Sequence, residues 1–275
     1  SIFNLGYIYF ENGDKDIAVK FFKMAIETKP DWIEAHTMLG NVYEKFNMFD
    51  DAIKEHEEVL KIDPKLAEPH MNIGNIFYKM QKLNNAVIEF KKAIDINGEL
   101  KGVHTMLGIV YMRQGDIDNA IKEYNTAIKV APDEFKPYFN LGDIYYKKKD
   151  KDNAVKFFNK AIEVKPDLVE AYMMLGVVYA TFDMLDDAIN QFEKAIEVNP
   201  KLAGPHTNLG NIYYRRQQVG MAMDQYKKAI EIDPNLAEPH NNLGYLYYVI
   251  GENSEAIKEC KKAVELVLGQ LARTD

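Results

Sequence analysis

Small and apolar residues recur along this chain with a period of 34 residues. Glycine occupies Gly6 and every 34th position after it as far as Gly244, and alanine follows each of these glycines by twelve residues, from Ala18 to Ala256. No insertion or deletion interrupts the series. A fixed period of this size indicates units that bury their apolar faces only against their neighbours. The pattern therefore predicts an extended repeat array, a class of protein that rarely forms a catalytic pocket.

Each period contains two amphipathic helical stripes. With the recurrent glycine numbered as position 8 of its repeat, positions 4, 7, 8 and 11 share one helical face, and positions 20, 24 and 27 share another. Turn-forming residues such as Gly115 and Asp116 lie between the stripes. Proline occurs only at position 32, as Pro64 does, or at position 3, as Pro69 does. Since proline stops a helix or begins one, each repeat is predicted to be an antiparallel helix pair and the fold all-α.

The same positions carry a resemblance to a known family. Leu175-Gly176, Tyr179, Ala188, Phe192 and Pro200 reproduce the pattern of the tetratricopeptide repeat, and the other repeats follow it with few departures. The resemblance covers the whole chain. It implies a right-handed superhelical solenoid of antiparallel helix pairs, whose first helices line a concave groove that binds a peptide or protein.

The domain prediction is a single superhelix over residues 1–275. Its eight repeats are predicted to cover 1–32, 33–66, 67–100, 101–134, 135–168, 169–202, 203–236 and 237–270. A longer rhythm overlies them, because the segment from Pro64 to Ala67 returns 136 residues later as Pro200 to Ala203. Residues 1–134 and 135–270 thus resemble a duplicated four-repeat block. This duplication reflects either gene duplication with later drift or two equivalent binding segments in one groove.

Candidate binding residues lie opposite the buried stripe of each first helix, at positions 2, 5, 6, 9, 12 and 13. Position 6 alternates between asparagine and methionine until the last repeat. Asparagine is a poor helix former, but its carboxamide can pair with a peptide backbone, while methionine offers adaptable apolar contacts. The alternation resembles the asparagine ladder of the repeat arm of O-linked N-acetylglucosamine transferases. The predicted peptide-binding residues are Asn72, Asn75, Tyr78, Lys79, Met106, Ile109, Met112, Arg113, Asn140, Asp143, Tyr146, Lys147, Met173, Met174, Asn208, Asn211, Tyr214, Arg215 and Asn242.

A plainer interpretation of these residues stays open. The asparagines can simply face water, and the methionines can pack between helices. The cations at position 13 either interact with the dipole of the helix C-terminus or make the groove locally basic. The lysine that tetratricopeptide domains place at position 5 to hold a chaperone tail is missing, so that partner is disfavoured.

Histidine and cysteine do not form a recognisable chemical site in the sequence. Five of the six histidines, including His36 and His104, occupy position 4, whereas His56 and Cys260 occupy position 24. Both positions belong to the predicted packing stripes, and successive first helices lie about 10 Å apart, too far to share a zinc ion. We therefore expect structural histidines, a buried Cys260, no catalytic or metal site and no cofactor.

Composition narrows the set of partners. The formal net charge of −8 and the pI near 5.4 disfavour nucleic acid, and no run of about 18 apolar residues suggests membrane insertion. One cysteine fits a reducing cytoplasm and leaves a periplasm open. The chain starts at Ser1 and its first repeat lacks two positions, which suggests a piece of a longer protein.

Three functions are consistent with this pattern. The first is a non-catalytic scaffold that binds an extended segment of another protein in its groove. The second is the substrate-recruiting arm of a larger enzyme, such as a glycosyltransferase. The third is a self-assembling structural protein, since apolar residues such as Ile2, Leu5, Val264 and Leu268 occupy the first and last helices.

Overall fold

The computed structural model describes residues 1–272, and these form sixteen α-helices without a β-strand. The predicted all-α fold of helix pairs is thereby confirmed. The helices are α1 Ile2–Glu11, α2 Lys15–Thr28, α3 Ile33–Lys45, α4 Phe49–Ile62, α5 Glu68–Lys79, α6 Leu83–Ile96, α7 Val103–Gln114, α8 Ile117–Val130, α9 Phe135–Lys147, α10 Lys151–Val164, α11 Val169–Thr181, α12 Leu185–Val198, α13 Ala203–Arg215, α14 Val219–Ile232, α15 Ala237–Val249 and α16 Asn253–Leu271.

The chain forms two compact units, Ser1–Pro137 and a second that begins at Tyr138. In the first unit, each odd-numbered helix from α1 to α7 packs on the helix that comes after it, and α2, α4 and α6 also contact the first helix of the next repeat. In the second unit, α10, α12 and α14 make the same contact with α11, α13 and α15. Each of these second helices is therefore sandwiched between two first helices. The single superhelix and the block duplication stay predictions.

Proline marks the helix boundaries as the sequence predicts. The even-numbered helices from α2 to α14 all end two residues before position 32, and Pro69 lies in the first turn of α5. Position 32 of the last repeat holds Leu268 in place of proline. Helix α16 accordingly continues through this position as far as Leu271.

Position 15 of every repeat turns the chain from the first helix into the second. This residue has a positive φ in all eight repeats, and in five of them it is not glycine, as in Gln81 (φ 59°) and Lys149 (φ 59°). The N–H of the next residue reaches back to position 11, as Lys82 N does to the Phe77 carbonyl at 2.9 Å. This geometry is a Schellman motif, which satisfies the last carbonyls of the first helix and fixes the hairpin.

The core lies between successive repeats. In the second unit, Ala154 and Phe158 of α10 form one buried cluster with Leu175 and Val178 of α11. Position 10, occupied here by Val178, is fully buried, although the sequence analysis did not include it in the apolar stripe. The aromatic residues at position 11, such as Tyr179, are mostly only half-buried. The buried face of the first helix thus includes position 10, and position 11 lies at its edge, whereas the sequence predicted position 11 in the buried stripe and did not include position 10.

Cys260 is exposed, so the expectation that it is buried in the core is wrong. It does occupy the packing position, because a Cβ added to Gly244 would lie 2.7 Å from its sulfur. In repeats 1, 5, 6 and 7, residues of the next first helix pack against the ring at this position. Helix α16 is the last helix that the structure describes, and no such helix covers Cys260.

The histidines at position 4 are structural, as predicted, but they do more than fill space. Nδ1 of His36, His70, His104 and His240 lies 2.6–2.7 Å from a glutamate oxygen of the second helix in the same repeat. Nε2 of His36, His104 and His240 also lies 3.0–3.1 Å from a backbone carbonyl at the end of the preceding repeat. His206 instead faces the Gln225 amide oxygen at 2.7 Å. We call these contacts the histidine bridges.

The bridge at His104 shows how protonation of a histidine supports the contact between repeats 3 and 4. Its two partners, the Glu123 carboxylate and the Gly98 carbonyl, both accept hydrogen bonds, so the ring makes both bonds only when both nitrogens carry hydrogen. The hydrogen bond to Glu123 is the main cause that raises the pKa of His104 above its ordinary value. When both nitrogens are protonated, the imidazolium therefore joins repeats 3 and 4 within the first unit.

The glycine at position 8 lets the two helices of a repeat approach each other closely. A Cβ added to Gly210 would lie 2.4 Å from the Tyr226 ring, and one added to Gly176 would lie 2.5 Å from the Phe192 ring. Such distances are shorter than any van der Waals contact allows. The small residue at position 8 and the ring at position 24 are therefore a matched pair.

We expect Gly210→Ala to lower the free energy of unfolding by about 1–3 kcal/mol, because the added methyl must displace Tyr226 from a filled core. Gly220→Ala is the matched control, since a Cβ there meets no atom within 4 Å. Alanine is also the better helix former by about 0.5–1 kcal/mol, so the control should be neutral or stabilising. Urea denaturation compares the two variants, and equal effects would contradict this account of position 8.

His56 replaces the usual aromatic ring in repeat 2. It is fully buried, and neither ring nitrogen has a hydrogen-bond partner among the described residues. Burial lowers its pKa to about 4. The folded protein therefore holds a neutral imidazole that the unfolded chain would protonate near pH 6.5.

We expect His56→Phe to make the protein less sensitive to acid. Because the folded pKa is depressed, the stability linked to His56 is present above about pH 6.5 and is lost as the pH falls towards 4, a loss on the order of 3 kcal/mol. Phenylalanine already fills this position in repeats 1 and 3, as Phe22 and Phe90. Denaturant unfolding at a series of pH values should show the variant gaining stability over the wild type below about pH 6.5, and parallel pH profiles would refute the assignment.

Candidate functional site

The predicted binding residues lie on the surface formed by positions 2, 5, 6, 9, 12 and 13 of the first helices, here called the first-helix face. In the first unit, Lys79 and Arg113 are exposed. The half-buried members there are Asn72, Asn75, Tyr78, Met106, Ile109 and Met112. In the second unit, Lys147, Tyr214 and Arg215 are exposed. The half-buried members there are Asn140, Asp143, Tyr146, Met173, Met174, Asn208, Asn211 and Asn242.

Three half-buried carboxamides at position 6 have no internal hydrogen-bond partner. The side chains of Asn72, Asn140 and Asn208 make no hydrogen bond with any residue in the range 1–272, although each is half-buried. Each carboxamide retains an acceptor oxygen and two N–H donors. A backbone amide of an extended chain offers the complementary donor and acceptor, so these three residues have the chemistry expected of peptide-binding groups.

Asn211, by contrast, belongs to an internal network. Its Oδ1 accepts hydrogen bonds from the Tyr226 hydroxyl at 2.7 Å and from Asn242 Nδ2 at 3.0 Å, and its Nδ2 donates to Glu238 at 3.2 Å. Burial is the main cause that raises the pKa of Tyr226 to about 12, so the phenol keeps its proton and remains a donor. The network fixes the orientation of Asn211 and occupies most of its hydrogen-bonding groups.

Three of the predicted cations at position 13 tie their repeat to the one before it. Lys79 pairs with Glu44 at 2.8 Å, and the Arg113 guanidinium lies 5.6 Å from the centre of the Tyr78 ring. Arg215 donates to the backbone carbonyl of Ala180 at 2.9 Å and to Asp183 at 2.8 Å. These contacts give the cations a structural role that the sequence reasoning did not foresee. Lys147 differs, because it pairs with Asp143 of its own helix at 2.7 Å.

Two tyrosines of the face also make contacts between repeats. The Tyr146 hydroxyl lies 3.3 Å from Thr181 Oγ1, and the Tyr214 hydroxyl donates to that of Tyr245 at 3.5 Å. Both tyrosines occupy position 12, and both partners belong to the next repeat. Position 12 thus combines an accessible aromatic surface with a stabilising contact.

The methionines of the second unit contribute to packing. Met174 contacts the buried cluster around Phe158, and Met173 contacts the cluster around Phe192. Their sulfur-containing side chains are therefore held against the core, and only part of each remains accessible. Met173 and Met174 therefore pack between helices, which is the plainer of the two interpretations of the methionines.

A cavity of about 260 Å³ opens on the first-helix face between repeats 6 and 7. We call it the repeat 6–7 socket. Val177, Phe192 and Ile212 provide apolar lining, and Asn208 and Arg215 provide polar groups. The remaining lining residues, Ala180, Thr181 and Asn211, complete the wall. Asn208, Asn211 and Arg215 were predicted, and the structure brings them together here.

A larger cavity of about 640 Å³ lies between repeats 7 and 8. Asn211, Tyr214, Arg215 and Asn242 also line it, so the two cavities share Asn211 and Arg215. Its lining further includes Tyr226, Asn241, Tyr245, Tyr248, Ile257 and Cys260, none of which was predicted. The aromatic residues at positions 9 and 12 of the last repeat, Tyr245 and Tyr248, were a signal in the sequence that was not used.

Metal-binding and membrane-spanning features are not found in the part of the chain that the structure describes. Over residues 1–272, no three His, Cys, Asp or Glu side chains are grouped so that they could hold a metal ion. None of the helices in this range has both the length and the apolar character needed to cross a bilayer.

The comparisons with solved structures agree with this architecture. The chain resembles the C-terminal part of a TPR repeat-containing protein from Cytophaga hutchinsonii, with a TM-score of 0.70 and 20% identity over 88% of this chain and 99% of that one. It also resembles YrrB, described as a TPR protein with an unusual peptide-binding site, with a TM-score of 0.57 and 22% identity over 67% of this chain and 95% of YrrB. The MamA protein matches with a TM-score of 0.54 and 25% identity over 62% of this chain and 92% of MamA.

Family models give the more direct result. No curated protein sequence matches the chain significantly. The model of the tetratricopeptide repeat, however, matches residues 1–31, 33–66, 67–99, 135–168 and 237–266, and a related TPR repeat model matches residues 108–149, 184–217 and 210–251. The first model alone covers more than half of the chain. The chain therefore belongs to the tetratricopeptide repeat family, whose fold supports a role in protein–protein interaction.

Proposed function

We propose that the protein is a non-catalytic scaffold that binds an extended segment of another protein along its first-helix face. The observation that carries this proposal is the set of unpartnered carboxamides at Asn72, Asn140 and Asn208. Most other polar groups on this face are occupied by contacts between or within repeats. Asparagine disfavours a helix by a few tenths of a kcal/mol relative to alanine, and these three side chains make no hydrogen bond within the described residues that offsets the loss.

The shape and chemistry of the second unit support the same function. Two cavities flank Asn211 and Arg215, and both combine apolar walls with amide groups. Pockets that bind peptide side chains have this mixture, because the apolar area provides affinity and a few polar groups fix the orientation. The peptide-binding site ascribed to YrrB, which shares the fold, is consistent with the proposal.

We expect the double variant Asn72→Ala and Asn208→Ala to weaken peptide binding by about tenfold, because each carboxamide can make two hydrogen bonds with a backbone amide. Asn72 lies in the first unit and Asn208 in the second. Both are changed so that a short peptide loses a carboxamide contact whichever unit it binds. The ligand is a peptide selected against the wild-type protein from a random library displayed on phage, and its affinity is measured by fluorescence anisotropy.

The matched control replaces two exposed asparagines of second helices, Asn125 and Asn159, with alanine. This control should bind like the wild type, and circular dichroism should show that all variants remain folded. If the double variant binds the peptide with unchanged affinity, the carboxamides are not the binding groups.

Self-association is a second candidate function, and it rests on a separate observation. Val264, Val267 and Leu268 of α16 have exposed fractions of 58%, 46% and 60%, and Ile2, Leu5 and Ile8 of α1 are also exposed. Large exposed apolar residues grouped on one helix often mark an interaction surface. The remaining alternative, a substrate-recruiting arm of a larger enzyme, stays a prediction.

We expect the weight-average mass in static light scattering to rise with protein concentration if these apolar surfaces associate. Leu268→Lys together with Val264→Lys should suppress the rise, because burying two ammonium groups in the contact is costly. Exposed Ile88 lies on α6 and serves as the site of a control substitution, Ile88→Lys. A mass that stays at that of the monomer at the highest concentration would eliminate self-association.

A further inference from the structure

One position in the lining of the repeat 6–7 socket carries an unusually small residue. Position 12 holds Ala180 in repeat 6, whereas the other repeats carry Phe10, Glu44, Tyr78, Met112, Tyr146, Tyr214 and Tyr248 at that position. Arg215 donates to the backbone carbonyl of Ala180, so it ties the two repeats together without a side chain at this point. The space that a larger residue would occupy stays open to solvent.

In the first unit, three of the positions that correspond to the socket lining carry polar residues instead of apolar ones. The residues that lie 136 positions earlier than Val177, Ala180 and Phe192 are Asn41, Glu44 and His56. Glu44, whose side chain is only 18% exposed, stands where the socket would be and pairs with Lys79 at 2.8 Å. The two blocks therefore share a register but offer different surfaces, which argues against two equivalent binding segments.

The lining of the socket selects the kind of side chain that can enter it. Val177, Phe192 and Ile212 supply apolar contacts, so a cationic group placed there would lose hydration without an acidic partner in the lining. Asn208 at the rim retains its full set of donors and acceptors. With about 260 Å³, the cavity is below the range of roughly 300–1,000 Å³ typical of sites for whole small molecules, and it suits a single side chain with part of its backbone.

Charge complementarity indicates which type of residue lies next to this side chain in the bound peptide. Arg215 is the one charged residue among those that line the socket, and no carboxylate lines it. Arg215 uses two of the five N–H groups of a guanidinium for Ala180 and Asp183, and its side chain is 44% exposed. A carboxylate on the partner can therefore add to the same guanidinium through the N–H groups that Ala180 and Asp183 leave free.

We propose that the repeat 6–7 socket binds one aliphatic side chain of an extended peptide whose adjacent residue is acidic. The aliphatic group contacts Val177 and Ile212, the peptide backbone pairs with Asn208, and the carboxylate faces Arg215. This inference rests on the proposed function, since it names the sequence that the first-helix face of the second unit selects.

The experiment uses a random peptide library displayed on phage and selected against the wild-type protein. The selected peptides should share a leucine, isoleucine, valine or methionine next to aspartate or glutamate. The affinity of one synthetic selected peptide is then measured for the wild type and for Ala180→Tyr, which places in repeat 6 the residue that repeats 3, 5, 7 and 8 carry naturally. Filling the socket should weaken binding by about 30-fold, the value expected when one aliphatic side chain can no longer be buried.

Asn159→Tyr is the matched control, because it introduces the same tyrosine at an exposed position of α10, a second helix of the same unit that lies outside the first-helix face. It should leave the affinity within about twofold of the wild type, well inside the effect of one lost hydrogen bond. Replacing the aliphatic residue of the peptide with lysine should abolish binding to the wild type. Thermal unfolding of each variant verifies that the repeats remain folded.

The outcomes separate this inference from the proposed function. If Ala180→Tyr binds as tightly as the wild type while the Asn72 and Asn208 double variant binds weakly, the socket assignment is overturned and the peptide-binding function stands. If no peptide is enriched, or if binding survives both sets of substitutions, the proposed function fails and the socket assignment fails with it. Selected peptides rich in lysine or arginine would also overturn the socket assignment.

Discussion

The close contact between the glycine at position 8 and the ring at position 24 is the constraint on which the rest of the structure depends. At Gly210 the contact leaves no room even for a Cβ, which would lie 2.4 Å from Tyr226. Because the backbone of the first helix lies directly on this ring, the opposite side of that helix is left as surface. The positions of the surface side chains, including Asn208, are set by this packing.

The sequence was sufficient to predict the fold because the fold depends on local and periodic signals. Proline at positions 3 and 32 marks the helix boundaries, and glycine and alanine at positions 8 and 20 mark the close helix contact. The prediction was wrong where the environment of a residue depends on the next helix along the chain. Cys260 occupies a packing position but is exposed, because no further first helix covers it among the described residues.

The candidate site was less predictable, because a surface residue of one type can either remain available to a partner or form contacts within the protein. Asn208 and Asn211 are the same residue type on the same helix face, yet Asn208 is unpartnered and Asn211 is held by Tyr226, Asn242 and Glu238. The difference depends partly on a single hydroxyl, that of tyrosine in place of phenylalanine at position 24. Similarly, the sequence alone gives no reason to single out Ala180, although this small residue lines a cavity. Only the positions of neighbouring side chains reveal such features.

The histidine bridge at His104 links the assembly of repeats to the acidity of the solution. When it is protonated, this ring donates Nδ1–H to a carboxylate of its own repeat and Nε2–H to a carbonyl of the preceding one, so the added proton is part of the junction. Since the folded pKa is raised, the bridge contributes fully below the ordinary histidine pKa and is lost as the pH rises through the folded value. The buried His56 acts in the opposite direction, because its folded pKa is lowered. Repeats 2 and 4 of one unit thus respond to pH in opposite directions: repeat 2 loses stability in acid through His56, and repeat 4 loses its bridge as the pH rises. The unit therefore has a pH window of greatest stability between the two.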